Sequence, residues 1–311
     1  MTTTASSKEE NQPEHRRRRF QRAAKPPHPF TALQAEVLRL VAESKFLATP
    51  QVAALMGVSP KAARDHLRAL FDSGLVDILP VPGAAVGTKA LIAANVYLPT
   101  KEGLRTLDRL DTLPAHADKP ASYDPARYRF LGHELAVRDV LVWLTRSARL
   151  HAGEEHAVTR WDCSSGLLAE TDAGAVRPDA VFVYDFGGRG VAGLVEADMG
   201  TERGVAADRS DRWAAKLAAY GRLLEQEDRE PLRALTGTTR ARIVVSVPSE
   251  ARAQWVARRA WGTPAERFVW IALRSEMENA AAADVHAPCL WRRPDGSRPP
   301  FVPPNLSTGG S

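Results

Sequence analysis

Apolar positions recur at helical spacing through the first third of this chain. Leu33, Val37, Leu40 and Val41 predict a helix over 32–42, capped by Thr31. Thr49-Pro50 opens a second short helix, Gln51 to Met56, because proline is harmless in a first turn, where the N–H has no helical partner. Gly57 supplies a turn, Ser59-Pro60 opens a third helix over 60–73, and Gly74 stops it. Ala63, Leu67, Leu70 and Phe71 form the inward stripe of that third helix, leaving Lys61, Arg64 and Arg68 on its opposite face. The period then drops to two. Residues 75–79 and 91–98 read as strands around a Pro- and Gly-containing loop at 80–90 that carries Lys89, and Thr100 caps a helix reaching about Leu110.

The prolines at 114, 120 and 125 mark a linker over 111–126, after which a second domain is expected over 127–286. It begins with a long helix containing Leu131-Gly132-His133-Glu134-Leu135. Two apolar, β-branched runs follow, AVFVYDF (180–186) and VAGLVEAD (191–198), separated by a glycine-rich turn. The helical stripe Trp213, Leu217, Tyr220 and Leu224 comes next, then a buried strand over 241–247, a helix over 250–261 and a strand over 268–273. Residues 1–29 are too polar to fold, and 287–311 are proline-rich, so both ends are expected to be disordered.

The hairpin carries the candidate chemistry. An even turn with Gly187 facing Gly190 would set Asp179 opposite Asp198 and Val181 opposite Glu196. Side chains repeat every second residue, so the three carboxylates would share one face. Acidic residues are depleted in strands, and three crowded together repel unless a hard cation such as Mg²⁺ or Mn²⁺ lies between them. Lys216 flanks the apolar stripe of the following helix, where it either reaches the sheet or snorkels to water. Glu134 is a candidate helical carboxylate, with an i,i+4 pair to Arg138 as the plainer role. His133 lies beside Val137, Val140 and Leu144, as a core histidine would, and with Glu134 and Tyr220 it is also a candidate accessory to the site.

The order helix, helix, helix, strand, loop, strand over roughly 80 residues resembles the winged helix-turn-helix family, which implies that Lys61, Arg64, Arg68 and Lys89 meet double-stranded DNA. The strings RPD (177–179) and EAD (196–198) resemble the PD-(D/E)xK nuclease superfamily. Asp179 and Glu196 occupy the first two motif positions, while Asp198 stands where that family has lysine. Lys216 is then the candidate for a lysine moved to the next helix. Taken together, LGHELAVRDV, RPDAVF, VEADMGTE and the Lys216/Tyr220 helix are similar to the actinobacterial replication-relaxation family of plasmid-associated proteins. That resemblance implies an α/β (α+β) chain, a winged helix-turn-helix joined to a PD-(D/E)xK-like mixed-sheet domain with flanking helices. Its expected function is replication or transfer of plasmid-type DNA, with Asp179, Glu196 and Asp198 holding a divalent metal and Asp179, Glu196 and Lys216 catalytic. Two further readings stay open: a non-catalytic replication or transcription factor on a nuclease-like scaffold, and a nicking enzyme with Tyr220 as nucleophile.

Charge refines this picture. The first 30 residues hold seven basic residues, among them Arg16, Arg17, Arg18 and Arg19, against three acidic ones, which accounts for most of the chain's formal +5. Such an arm either neutralises phosphates or simply solubilises the chain. No run is long and apolar enough to cross a bilayer and no secretory signal is read, so no membrane partner and a cytoplasmic, nucleoid- or plasmid-associated protein are expected. Two cysteines in 311 residues exclude a disulfide framework. A homodimer remains open.

Overall fold

A computed structural model describes residues 21–23, 30–79, 95–114, 117, 131–152, 155–164, 166–200, 206–278, 284–288 and 290–303. The described residues divide into two compact units, 21–117 and 131–303.

In the first unit α1 (Ala32–Glu43), α2 (Thr49–Met56) and α3 (Pro60–Asp72) form where the apolar spacing predicts them. Thr31 and Gln34 close a reciprocal cap on α1, leaving few orphan donors in its first turn. Gly57 ends α2 at φ 66°, and the Ser59 hydroxyl accepts from the Ala62 amide to start α3. The stripe Ala63, Leu67, Leu70 and Phe71 is buried as expected. The strands β2 (Val76–Leu79) and β3 (Val96–Pro99) pair antiparallel, followed by α4 (Lys101–Arg109) under the Thr100 cap. β1 (Leu47–Ala48) adds to the other edge of β3; at two residues it is too short to show any periodicity. The loop at 80–94, including Lys89, lies outside the described residues.

The second unit runs α5 (Leu131–Leu150), β4 (His156–Asp162), a small hairpin of β5 (Ala169–Thr171) and β6 (Gly174–Val176), then β7 (Ala180–Phe186) and β8 (Arg189–Ala197). It continues with α6 (Ala206–Glu225), α7 (Glu230–Thr236), β9 (Ala241–Val247), α8 (Glu250–Ala260), β10 (Val269–Leu273) and α9 (Arg274–Met277). The result is a mixed α/β fold on a five-stranded sheet of order β10-β9-β8-β7-β4. β4, β7 and β8 pair antiparallel, whereas β8, β9 and β10 run parallel, with α6 and α7 making the first crossover and α8 the second. β8 is therefore central, and its last seven residues are buried.

The two faces of the sheet are covered differently. Val181, Leu194, Ile243, Val245 and Val247 pack with Leu217, Tyr220 and Leu223 of α6 and Val256 of α8. The opposite face holds an aromatic core: Phe182, Trp270, Trp143 of α5, and Trp291 and Phe301 from the C-terminal segment. That segment corrects an expectation. Residues 290–303 are not a loose tail, because Leu290, Trp291, Phe301 and Val302 are all buried and residues 271 and 292 form a β-bridge. Proline richness masked four apolar anchors spread over thirteen positions. At the other end, residues 21–23 of the expected arm lie along α3: Arg22 stacks on Phe71 and pairs with Asp77, and the Ala23 amide donates to Asp72.

The hairpin register also differs from the expected one. Its turn is the two residues Gly187-Gly188, with φ 59° and 74°, the left-handed pair that a type I′ turn demands. Arg189 and Gly190 belong to the strand, so Ala180 faces Val195 and Val181 faces Leu194. Every partner moves by two residues, which preserves which side chains share a face.

Gly193 makes the aromatic face possible. It lies opposite Phe182, and a Cβ there would approach the Phe182 ring carbons to 2.0–2.8 Å. Phe182 is fully buried and cannot swing away. Gly193→Ala is expected to cost about 3 kcal/mol, the upper end of overpacking, and to lower the thermal midpoint by several degrees. A melting curve matching that of the parent chain would refute this.

Candidate functional site

The end of the hairpin away from its turn gathers the acidic residues. One step beyond the Ala180–Val195 pair, the Asp179 amide donates to the Val195 carbonyl at 2.9 Å. The Asp179 carboxylate accepts from the Ala197 amide at 2.9 Å and meets His133 Nε2 at 3.1 Å, both through Oδ2. Glu196 enters from central β8 and is 3% exposed. Its two oxygens accept from Lys216 Nζ and the Tyr220 hydroxyl, which lie one helical turn apart on α6. Strand periodicity points Asp179 and Glu196 to the α6 face, and helical periodicity points Lys216 and Tyr220 back at them.

Asp198 lies just past the end of β8 and is turned elsewhere. Oδ1 accepts from the Gly200 amide at 2.8 Å and Oδ2 from Arg252 Nε at 2.6 Å, with side-chain exposures of 5% and 14% for the pair. Arg274 holds the Asp198 carbonyl, and the Asp198 amide donates to Ser246 at the end of β9. Asp198 thus ties β8 to β9 and α8. The Arg252 guanidinium also lies 3.8 Å over the Trp255 ring. Nothing in the spacing of Arg252 or Arg274 marks them as partners of a residue more than fifty positions earlier.

The electrostatics of the cluster follow from burial and pairing. Burial pushes the Glu196 carboxyl up to about 7, against the pull of Lys216. Burial would lower Lys216, but the charges of Glu196 and Asp179 outweigh it, so the ammonium is held more firmly than usual. For Asp179, burial acts upward, yet the His133 hydrogen bond and the charges of His133 and Lys216 carry it below the usual carboxylate range. Burial also opposes the charge on His133, but Asp179, Glu134 and Glu196 together raise it. Tyr220 is pushed well above its ordinary value by burial and by Glu196, so it stays a neutral donor.

Of the two roles open to His133, core histidine or accessory to the site, its contact with Asp179 fits the second. Glu134 makes the plainer contact, 3.1 Å from buried Arg138, with its side chain 43% exposed. In the first unit Arg64 is exposed, Lys61 pairs with Asp65 at 3.2 Å, and Arg68 is held by Asp72 and the Gln21 carbonyl. Arg16, Arg17, Arg18, Arg19 and Lys89 lie outside the described residues.

No curated protein and no solved structure matches the chain. The family model described as replication-relaxation matches residues 38–238. That span runs from within α1 to just past α7, covers well over half of the 311 residues, and contains Asp179, Glu196, Lys216 and Tyr220. This chain therefore belongs to the replication-relaxation family.

Proposed function

We propose that this protein binds duplex DNA through its first unit and hydrolyses a phosphodiester bond at the Asp179/Glu196/Lys216 cluster of its second. Family membership points to a replication-related function. The observation that carries the hydrolytic reading is one arrangement: two carboxylates from adjacent strands meet a lysine from the crossover helix at the carboxyl end of the central strand. Ligands of open α/β sheets bind outside such strand ends, where the connection changes direction.

The donor set suits a magnesium-like ion. Asp179 takes its hydrogen bonds on Oδ2 alone, and Mg²⁺ keeps most of its waters and needs only one or two carboxylates. Asp179 and Glu196 would hold the ion, whereas Asp198 already has a donor on each oxygen. When bound, the ion would lower the pKa of a coordinated water and neutralise charge on the phosphate. Lys216 places a firmly held positive charge beside that point, where it offsets charge developing on the scissile phosphate. Tyr220 donates to Glu196 and orients it. His133 does the same for Asp179. In the first unit, the exposed Arg64 on α3, with α2 and the Gly57 turn before it, suits a helix laid in a major groove.

A second reading has its own support. Lys216 and Tyr220 already satisfy both oxygens of Glu196, so the cluster is internally balanced, as a non-catalytic scaffold would be. Supercoiled plasmid separates the two readings. Incubated with the full chain and Mg²⁺ or Mn²⁺, it is expected to be nicked or linearised, and chelator or the Asp179→Ala/Glu196→Ala pair should stop this. Retained binding with no scission under any metal condition would establish the scaffold instead.

A further inference from the structure

A second cluster of ligating side chains lies on the other face of the sheet. His151 follows the C-terminal end of α5, His156 is the first residue of β4, and His286 belongs to the C-terminal segment. Their ring centroids are 4.7–5.2 Å apart, and one ring nitrogen of each lies within 4.8 Å of those of the other two. His156 is buried and the other two are partly so. Asp179 and His156 belong to opposite ends of the β4–β7 pair, roughly 20 Å apart along the strand, so this cluster shares no residue with the carboxylate site.

Each imidazole is also held from outside the cluster. His286 Nδ1 is 3.0 Å from the Val302 carbonyl, His151 Nε2 is 2.8 Å from Asp284 Oδ1, and His156 Nδ1 is 3.0 Å from the Tyr184 hydroxyl. Asp284 Oδ1 accepts the His286 amide as well, at 2.8 Å. A carbonyl only accepts, so neutral His286 carries its proton on Nδ1 and its lone pair on Nε2. Metal-binding histidines are oriented in this way, by a carbonyl or carboxylate on the ring nitrogen that does not bind the ion.

We propose that His151, His156 and His286 form a site for a first-row transition-metal ion, zinc in the first instance. Three imidazoles suit Zn²⁺, Cu²⁺ or Ni²⁺ and not the hard ions that the carboxylate cluster suits. Nitrogens bound at about 2.0–2.1 Å around a tetrahedral ion are about 3.3 Å apart, so the rings need to close by about 1.5 Å at most. The fourth position would fall to water.

The position of the site suggests what the ion does. Two ligands bracket the α5–β4 corner, and the third arrives from the segment that brings Trp291, Phe301 and Val302 onto the aromatic core. Val302 accepts from His286 through its carbonyl and donates its amide to Val285, so the ion would fasten that segment at its entry and its exit together. Residue 286 lies beyond the 38–238 family match, so family membership by itself does not supply the third ligand. An ion bound only by the folded chain raises its stability by mass action.

The test uses the untagged full chain, stripped with chelator and titrated with Zn²⁺ against a chromophoric competitor. One tightly held zinc ion per chain is expected at the histidine cluster, with affinity falling more than about 100-fold in His286→Gln and in His151→Gln but unchanged in His66→Gln. Zinc should raise the melting temperature of the parent chain and not that of the two histidine variants. X-ray absorption at the zinc edge of the parent protein should show three imidazole nitrogens at about 2.0 Å, a reading that stands even where a variant does not fold. Absence of stoichiometric zinc, a first shell of oxygens, or unchanged binding in folded His286→Gln would each overturn the assignment.

Discussion

Lys216→Met is expected to slow metal-dependent strand scission by about 100-fold or more while changing duplex affinity by less than about twofold. The ammonium sits against Glu196 and is held in its charged form by Glu196 and Asp179. Under the proposed hydrolysis it is thus a firmly held positive charge where the phosphate would gain negative charge. Methionine keeps the length of the stem beside Trp213, so the packing of α6 is preserved. The buried Glu196 would normally make such a change ruinous, since an unpaired buried charge costs about 3–5 kcal/mol. Here the carboxyl is already at about 7, and losing a neighbouring cation raises it further. The neutral form of Glu196 is thereby favoured, so the variant is expected to fold. Plasmid relaxation rates set beside fluorescence-anisotropy binding to a short duplex make the check. Scission at the parent rate, or binding that falls in step with scission, would remove Lys216 from the chemistry.

Arg252→Ala should cause the largest loss of stability among the changes considered, about 3–5 kcal/mol, or roughly 10 °C in the melting temperature of a unit this size. Asp198 is 5% exposed and takes Arg252 on one oxygen and the Gly200 amide on the other. Losing the guanidinium strands a buried carboxylate and removes one of the two cations stacked on the Trp255 ring. The double change Arg252→Ala/Asp198→Asn should recover much of the loss, because a neutral amide oxygen still accepts from Gly200. Thermal melts of the single and double variants decide it. A single variant as stable as the parent would show that the pair contributes no more than a surface ion pair does.

These two lysine and arginine partners show where the sequence was readable. Lys216 was legible because α6 is long, its apolar stripe is regular, and a lysine one turn from Tyr220 has few places to go. Arg252 was not, since its helix shows only three fully buried positions and several arginines of similar standing. The sharing of one face by Asp179 and Glu196 was readable from strand parity alone, despite the two-residue error in register. Their actual facing depended on where the turn lay. Four candidate turn residues in a row are compatible with three two-residue turns, and only the φ values of Gly187 and Gly188 choose among them. Which of its two open roles His133 takes was not legible, because a helix wheel shows its own neighbours and not the strand end that α5 begins beside.

The longer helices of both units, their boundaries to within a few residues, and the two acidic strings at the mouth of a hairpin were determined by local order along the chain. Periodicity, caps and glycine stops act over a few residues, and a sequence displays them directly. Tertiary structure alone decided that Asp198 turns to Arg252, that the C-terminal segment closes the aromatic face, and that three distant histidines converge. Each of those outcomes joins residues from separate elements of the chain, most of them more than fifty positions apart. No local pattern encodes such a meeting; it follows from which strand becomes central and which helix crosses over it.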